Sequence, residues 1–301
     1  MGYLNNGRVN IVITNRLLRF TYHKNPSAEG LVTHGEVELP EGTIKDGTIV
    51  NKSALLEVIH QLVRKHKWKR KKLIFAVPDD TVVIRQLQIP ISLTKEESIS
   101  YVNTQIGNSF YLPFANPALD IEFLGEDEQN RNILLFAYPK EKIIAYETVF
   151  EEAGLKPIAA DLTTLSVYRY YYLQQMEEKA HVLLIHWNQD ALILTAFQHH
   201  KAVFTRYMTI EANTEGNEEI AKEIINEFVI EINRIIDFYH FSITKGEASI
   251  NRLLLTGDFS FLNSVKETLS ESVTIPIQSF EKEELQSAYI DVLGLALKRD
   301  V

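Results

Sequence analysis

A chain of 301 residues, 45% hydrophobic and without cysteine, can bury a substantial core in two domains and has no disulfide, thiolate metal site or cysteine nucleophile. A net charge of -9 argues against generic nucleic-acid binding, and no apolar run approaches the roughly 20 residues of a membrane span. The opening MGYLNNGRVNIVI lacks a basic n-region, an adjoining apolar stretch and a cleavage site, so a soluble cytoplasmic protein is expected.

Strands and helices then alternate along the chain. Val9 to Thr14 and Leu17 to His23 read as a first hairpin. Ser53 is the expected N-cap of a helix whose Leu55, Ile59, Leu62 and Val63 follow helical spacing. That helix runs into RKHKWKRKK, Arg64 to Lys72, which holds seven Lys/Arg; without them the -9 becomes -16. One reading is a solvated helix end. The other is a patch of Arg64, Lys65, Lys67, Lys69, Arg70, Lys71 and Lys72 facing an anionic membrane surface, with Trp68 at headgroup level.

KLIFAVP, Lys72 to Pro78, is a buried strand by composition, and TVVIRQLQIP resembles another. The pair Asp79-Asp80 between them reads as an exposed turn cap. Thr94 and Glu97 form a capping box for the next helix. ALDIEFLG and NILLFAYP flank the polar loop EDEQNRN as an antiparallel pair. A helix from about Glu141 ends at Gly154, and IAADLTT follows as a strand. Residues 162 to 179 read as a tyrosine-rich helix.

LLIHWNQDALIL, residues 183 to 194, opens the second half as a hairpin. Its turn holds His186 and Trp187 where a phosphate-cradling turn needs glycine. A long helix follows, with Ile220, Ile224, Phe228, Ile232, Ile235 and Tyr239 in one apolar stripe. INRLLLTGD is a buried strand, FLNSVKETLSES a helix, TIPIQSF a short strand and SAYIDVLGLALKR a last helix. Each half thus begins with a hairpin and continues into alternating helices and strands, the order expected of duplicated βββαβα domains facing a cleft. His181, His186, His199 and His200 cluster in sequence, but His199-His200 falls at the far turn, so an exposed turn is expected rather than a metal site. No Ser-His-Asp order, Walker motif or HExxH is present.

Several stretches carry a family resemblance. LPEGTIKDGTIVNKSALLEVIHQLV, FAVPDDTVVIRQLQIPISLTKEES, NSFYLPFANPALDIEFLG and YETVFEEAGLKPIAADLTTLSVYR resemble, in order, segments of the PilM family of type IV pilus assembly. AVFTRYM and the closing VLGLALK also fit. The resemblance implies an α/β, actin-like, two-lobed fold of the kind seen in the cell-division protein FtsA, with a small inserted α+β domain. The first domain would be residues 8–83 plus 159–178, the insert 84–158, and the second lobe 179–301, its smaller subdomain reduced to about 211–250. It also implies a cytoplasmic protein, peripheral to the inner membrane, that binds the N-terminal tail of the membrane protein PilN and helps align the pilus platform with its motor ATPases.

Actin-like proteins hold ATP and Mg²⁺ with two Asp-x-Gly hairpins and a glycine-rich adenosine motif. Aligned with these are Val12 and Thr14, with Arg19 for the usual lysine; His186 and Asn188; and Gly257 and Asp258. Val12 cannot hold a cation-bound water, and His186 is a soft ligand for Mg²⁺. Thr14 and Asn188 carry Cβ atoms where phosphate needs backbone, and Asp258 repels a polyanion. The expectation is a pseudo-ATPase scaffold with no cofactor and no catalytic residue. Its alternatives are an ATP- and Mg²⁺-binding ATPase with divergent loops, or an FtsA-like filament former. For the partner tail, the candidates are Leu87 and Ile89 on a strand, Tyr101 on a helix, and Tyr111 and Phe114 in FYLPF, which would take alternate side chains of an extended segment.

Overall fold

The computed structural model describes residues 7–173, 180–211, 216–280 and 287–299. The first half comprises β1 (Arg8–Ile13), β2 (Leu17–His23), β3 (Leu31–Glu38), the short β4 (Ile44–Lys45) and β5 (Thr48–Ile49), α1 (Lys52–His66) and β6 (Lys72–Val77). Next come β7 (Val83–Pro90), α2 (Lys95–Gln105), β8 (Pro117–Glu126), β9 (Asn130–Pro139), α3 (Lys140–Glu152), β10 (Lys156–Leu162) and α4 (Thr163–Tyr172). The second half has β11 (His181–Trp187), β12 (Ala191–Gln198), β13 (Lys201–Thr209), α5 (Glu218–Phe238), β14 (Arg252–Thr256), α6 (Leu262–Ser272), β15 (Ile277–Ser279) and α7 (Ile290–Ala296).

Two five-stranded sheets form the lobes, ordered β10-β6-β1-β2-β3 and β15-β14-β11-β12-β13. In each, three antiparallel strands are followed by parallel strands that return beside the first, so the two halves share one topology. Burial follows strand position. Central β6 is buried from Leu73 onward and β11 from Val182 onward, whereas edge strand β3 alternates half-buried and exposed.

The actual N-cap of α1 is Asn51, not Ser53: its side chain accepts the Ala54 N–H at 3.1 Å. In α2 both bonds of the Thr94/Glu97 capping box are made. α3 turns off at Gly154, whose φ of 91° only glycine adopts readily. α5 buries Ile224, Ile232 and Ile235, with Ile220 and Phe228 half-buried beside them. Residues 174–179, the end of the expected tyrosine-rich helix, and 212–215, in the region expected to be reduced, lie outside the described residues.

Strands β7, β9 and β8 make a separate antiparallel sheet with α2 against it, and Ile89, Val102, Phe110, Ile121, Ile133 and Leu135 form its own core. α3 packs elsewhere. Its Tyr146, Val149 and Phe150 join the core of the first sheet, and β10 completes that sheet's edge from Lys156 onward. α7, assigned by sequence to the second lobe, returns to the first: Val292 and Leu295 pack on Val12, Ile74 and Ala76. A Cβ on Gly294 would fall 1.9 Å from the Ser166 carbonyl oxygen, so glycine lets α7 lie against α4. Among the described residues no helix is long and apolar enough to cross a membrane.

Candidate functional site

The β1–β2 turn, the β11–β12 turn and the Gly257-Asp258 turn after β14 meet where the two lobes face each other. Thr14 closes the first turn: its Oγ1 accepts the Arg16 and Leu17 N–H groups at 3.2 and 3.1 Å. Asn188 closes the second, donating its N–H to the Ala191 carbonyl at 2.8 Å. Gly257 stands at φ 128°, and a Cβ there would lie 1.9 Å from the Trp187 carbonyl oxygen. The single glycine kept from the adenosine motif therefore serves packing against the hairpin.

An ion-pair network joins the lobes at this point. Asp258 of the second lobe accepts from Arg16 at 2.6 Å and from Arg19, both on the first lobe, and takes the Gln189 N–H at 2.8 Å. Arg19 is fully buried and also pairs with Glu36 and Asp291, each at 3.2 Å. Burial disfavours its charge, but Asp291, Asp258 and Glu36 outweigh that and hold the guanidinium above its ordinary pKa. Burial likewise opposes ionisation of Asp258, yet Arg19 and Arg16 hold it below the usual carboxylate range. For Asp291 burial prevails over the Arg19 charge and pushes the carboxyl up to about 6.

Two guanidiniums and a backbone amide converging on one carboxylate form an anion seat that the chain fills itself. The sequence reading took Asp258 as a charge repelling an incoming polyanion. The structure corrects this, since that carboxylate is neutralised and consumes the donors. Val12 is buried under α7. His186 is buried too. Its Nε2 accepts the Asn188 amide at 3.1 Å, which leaves the ring proton on Nδ1, and burial plus the Arg19 charge depress its pKa to about 4. Asn188 is fixed in turn, because its Oδ1 accepts the Asp258 N–H at 3.2 Å. Trp187 is fully buried, stacked on Phe259 and edge-on to Phe228. Beside the network lies a polar cavity of about 760 Å³ whose lining includes Arg19, Gly257, Ser260, Asn263, Lys266 and Ser287.

A second cavity, about 270 Å³, separates the inserted sheet from the first lobe. Strands β8 and β10 both line it, and each is the edge of its sheet. Val82, Leu119, Phe136, Ile143, Ala160 and Leu165 supply apolar surface. Asp120 and Glu122 stand on one side; Arg169 and Lys298, both paired with Asp161, stand on the other. The five candidates from sequence do not line it. Ile89 belongs to the insert's core, with Leu87 and Tyr101 packed against that core. Tyr111 is exposed, and Phe114 is half-buried in the loop before β8. The signal missed was the alternation in ALDIEFLG, which turns Ala118, Asp120 and Glu122 away from the core residue Ile121.

Other sequence candidates fall as follows. Arg64, Lys65, Lys67, Lys69, Arg70 and Lys72 are exposed and Lys71 is half-buried over the Tyr22 ring. Trp68 is corrected. It is 3% exposed and packs on Phe20, Tyr22 and His66, because the loop folds it into the core. Asp79 is also no exposed cap. It is buried and accepts the Thr163 and Thr164 N–H groups at 2.8 and 2.9 Å, capping α4 from a distant segment, and burial pushes it up to about 6. Asp80 pairs with Lys142 at 2.6 Å. His199 and His200 occupy the β12–β13 turn, with His181 5.3 Å from His199 and hydrogen-bonded to Tyr239.

The described chain resembles solved structures of actin-like fold. A chain of a "PilM-PilN type IV pilus biogenesis complex" superposes with a TM-score of 0.78 at 17% identity, covering 96% of this chain and 97% of that one. The ethanolamine utilization protein EutJ from Carboxydothermus hydrogenoformans matches with 0.59 at 10%, over 97% and 89%. MreB5 of Spiroplasma citri bound to ADP matches with 0.52 at 9%, over 96% and 94%. At these identities the likeness establishes the fold, actin-like and two-lobed with an insert. No curated protein sequence matches the chain. Residues 24–228 match the family described as "Type IV pilus assembly protein PilM". That span exceeds half of the chain, and this protein belongs to the PilM family of type IV pilus assembly proteins.

Proposed function

We propose that this protein is a cytoplasmic scaffold of a type IV pilus assembly platform, held at the inner membrane by binding an extended N-terminal tail of a PilN-like membrane protein. The observation that carries this reading is the groove of about 270 Å³ between the free edges of β8 and β10. A strand edge supplies main-chain hydrogen bonds, and an apolar floor takes alternate side chains of the added segment. The tail is tethered by its membrane anchor, so a modest intrinsic affinity suffices at high effective concentration. Motor ATPases and the platform protein are the further partners of such an adaptor.

The same reading makes the protein a pseudo-ATPase. Asp258 occupies the donors that a phosphate would need, and Val12 and His186 are buried and committed. The cavity of about 760 Å³ beside the network favours a second reading, in which ATP still binds without turnover.

The test is titration of the protein with a synthetic peptide of the PilN-like tail, followed by fluorescence anisotropy. Saturable binding that Ala118→Arg abolishes, with the melting point unchanged, supports the groove. Binding left intact by Ala118→Arg refutes it.

A further inference from the structure

We propose that the end of the first lobe opposite the cleft is a docking face for anionic lipid, acting through charge alone. The parallel strands β1, β6 and β10 start together, and pairing brings Lys72 beside both Arg8 and Lys156. Lys72 and Lys156 are exposed at this edge. The last turn of α1 adds Arg64 and Lys65, and the loop before β6 adds Lys67, Lys69 and Arg70. Among the described residues none of these side chains enters an ion pair, nor does Lys71. Among the described residues the carboxylates at this end include Glu29 in the β2–β3 loop and Glu151 and Glu152 at the end of α3, and Glu152 is already paired with Lys52.

The dipole of α1 accounts for Arg64 and Lys65 but not for the loop. There, Lys67 and Arg70 stand at φ 57° and 64°, a conformation usually left to glycine or asparagine. The loop is nonetheless rigid. Trp68 is buried, the Arg70 N–H bonds the Gly154 carbonyl at 2.7 Å, and the Lys156 N–H bonds the Lys71 carbonyl at 2.9 Å. Cations are thus presented, unpaired, on a pinned loop. Five of the seven in Arg64 to Lys72 are lysines, point charges suited to a field of interchangeable headgroups rather than bidentate grip on one phosphate. The rest of the chain, at -16, is repelled by the same surface, so the field orients the molecule with this face down. With Trp68 withdrawn, nothing apolar inserts, and binding is reversible by salt. The face shares no residue with the groove, so it stands or falls independently of tail binding.

The experiment is vesicle flotation of the full chain with phosphatidylcholine alone and with phosphatidylcholine containing phosphatidylglycerol. Binding is expected only to the anionic vesicles, released by high salt, without change in tryptophan emission. Each basic residue removed should weaken it roughly fivefold, so Lys67→Asn, Lys69→Gln and Lys72→Gln together cost about two orders of magnitude. A control with equal charge loss, Lys45→Gln, Lys140→Gln and Lys222→Gln, should bind as the parent does. Equal binding to neutral vesicles, no binding to anionic ones, or equal loss in the control overturns the proposal. Competition by polyglutamate as effective as by anionic vesicles overturns the lipid assignment in favour of an acidic protein.

Discussion

Replacing Asp258 by Asn removes the carboxylate that Arg16 and Arg19 share across the lobes while keeping its size and the acceptor for the Gln189 N–H. Arg19 is fully buried, and Asp258 has a side chain only 10% exposed. Breaking a buried pair from one side costs about 3–5 kcal/mol. Arg19 retains Asp291 and Glu36, which places Asp258→Asn at the lower end, about 3 kcal/mol, or roughly 6–12 °C in melting temperature. The variant also has a vacated anion seat. Sulfate should therefore raise its melting temperature more than that of the parent, whose seat is filled and which shows only generic salting-out. The assay is a pair of thermal melts in sulfate and chloride at equal ionic strength. A variant as stable as the parent, or equal sulfate shifts in both, would refute the view of Asp258 as an internal counter-anion.

Gly257→Ala places a Cβ 1.9 Å from the Trp187 carbonyl at a φ of 128°, and should destabilise by about 4 kcal/mol in urea unfolding. His186 has its pKa lowered from 6.5 to about 4, so the unfolded chain binds more protons between those values and stability falls as pH drops from 6.5 toward 4. Its share is about 3 kcal/mol at 1.36 kcal/mol per unit. In His186→Gln that component should vanish from the pH profile of unfolding, and an unchanged profile would show the histidine to be exposed or charged. Asp79, pushed up to about 6, acts oppositely: the folded chain binds more protons above 3.8, so its ionisation reduces stability as pH rises toward 6. Asp79→Asn should flatten that slope while weakening the cap on α4.

What the sequence carried was local. Strand pairs, the Thr94/Glu97 box and the stripe of α5 depend on neighbours within a turn or a hairpin, and they are present where periodicity puts them. What it did not carry was long-range packing. Asp258 is an acidic residue after a strand until Arg16, 242 positions away, is seen to hold it. Trp68 sits in a run of cations, and composition alone sends it to the surface; Phe20 and Tyr22 take it inside. α7 is apolar apart from Asp291 and buried throughout, so its sequence offers no polar face to set its orientation, and its place follows from the contact of Gly294 with Ser166. The groove lies between two strand edges brought together by the fold. The alternation of β8 was legible, but its facing partner was not.

The most direct test of the account is the affinity of the PilN-like tail peptide for nucleotide-free protein, measured by anisotropy and repeated with millimolar ATP and Mg²⁺. A scaffold with its anion seat filled by Asp258 binds the tail without nucleotide and with the same Kd in both. Binding that appears only when ATP and Mg²⁺ are present would contradict it and make the cleft a working nucleotide switch.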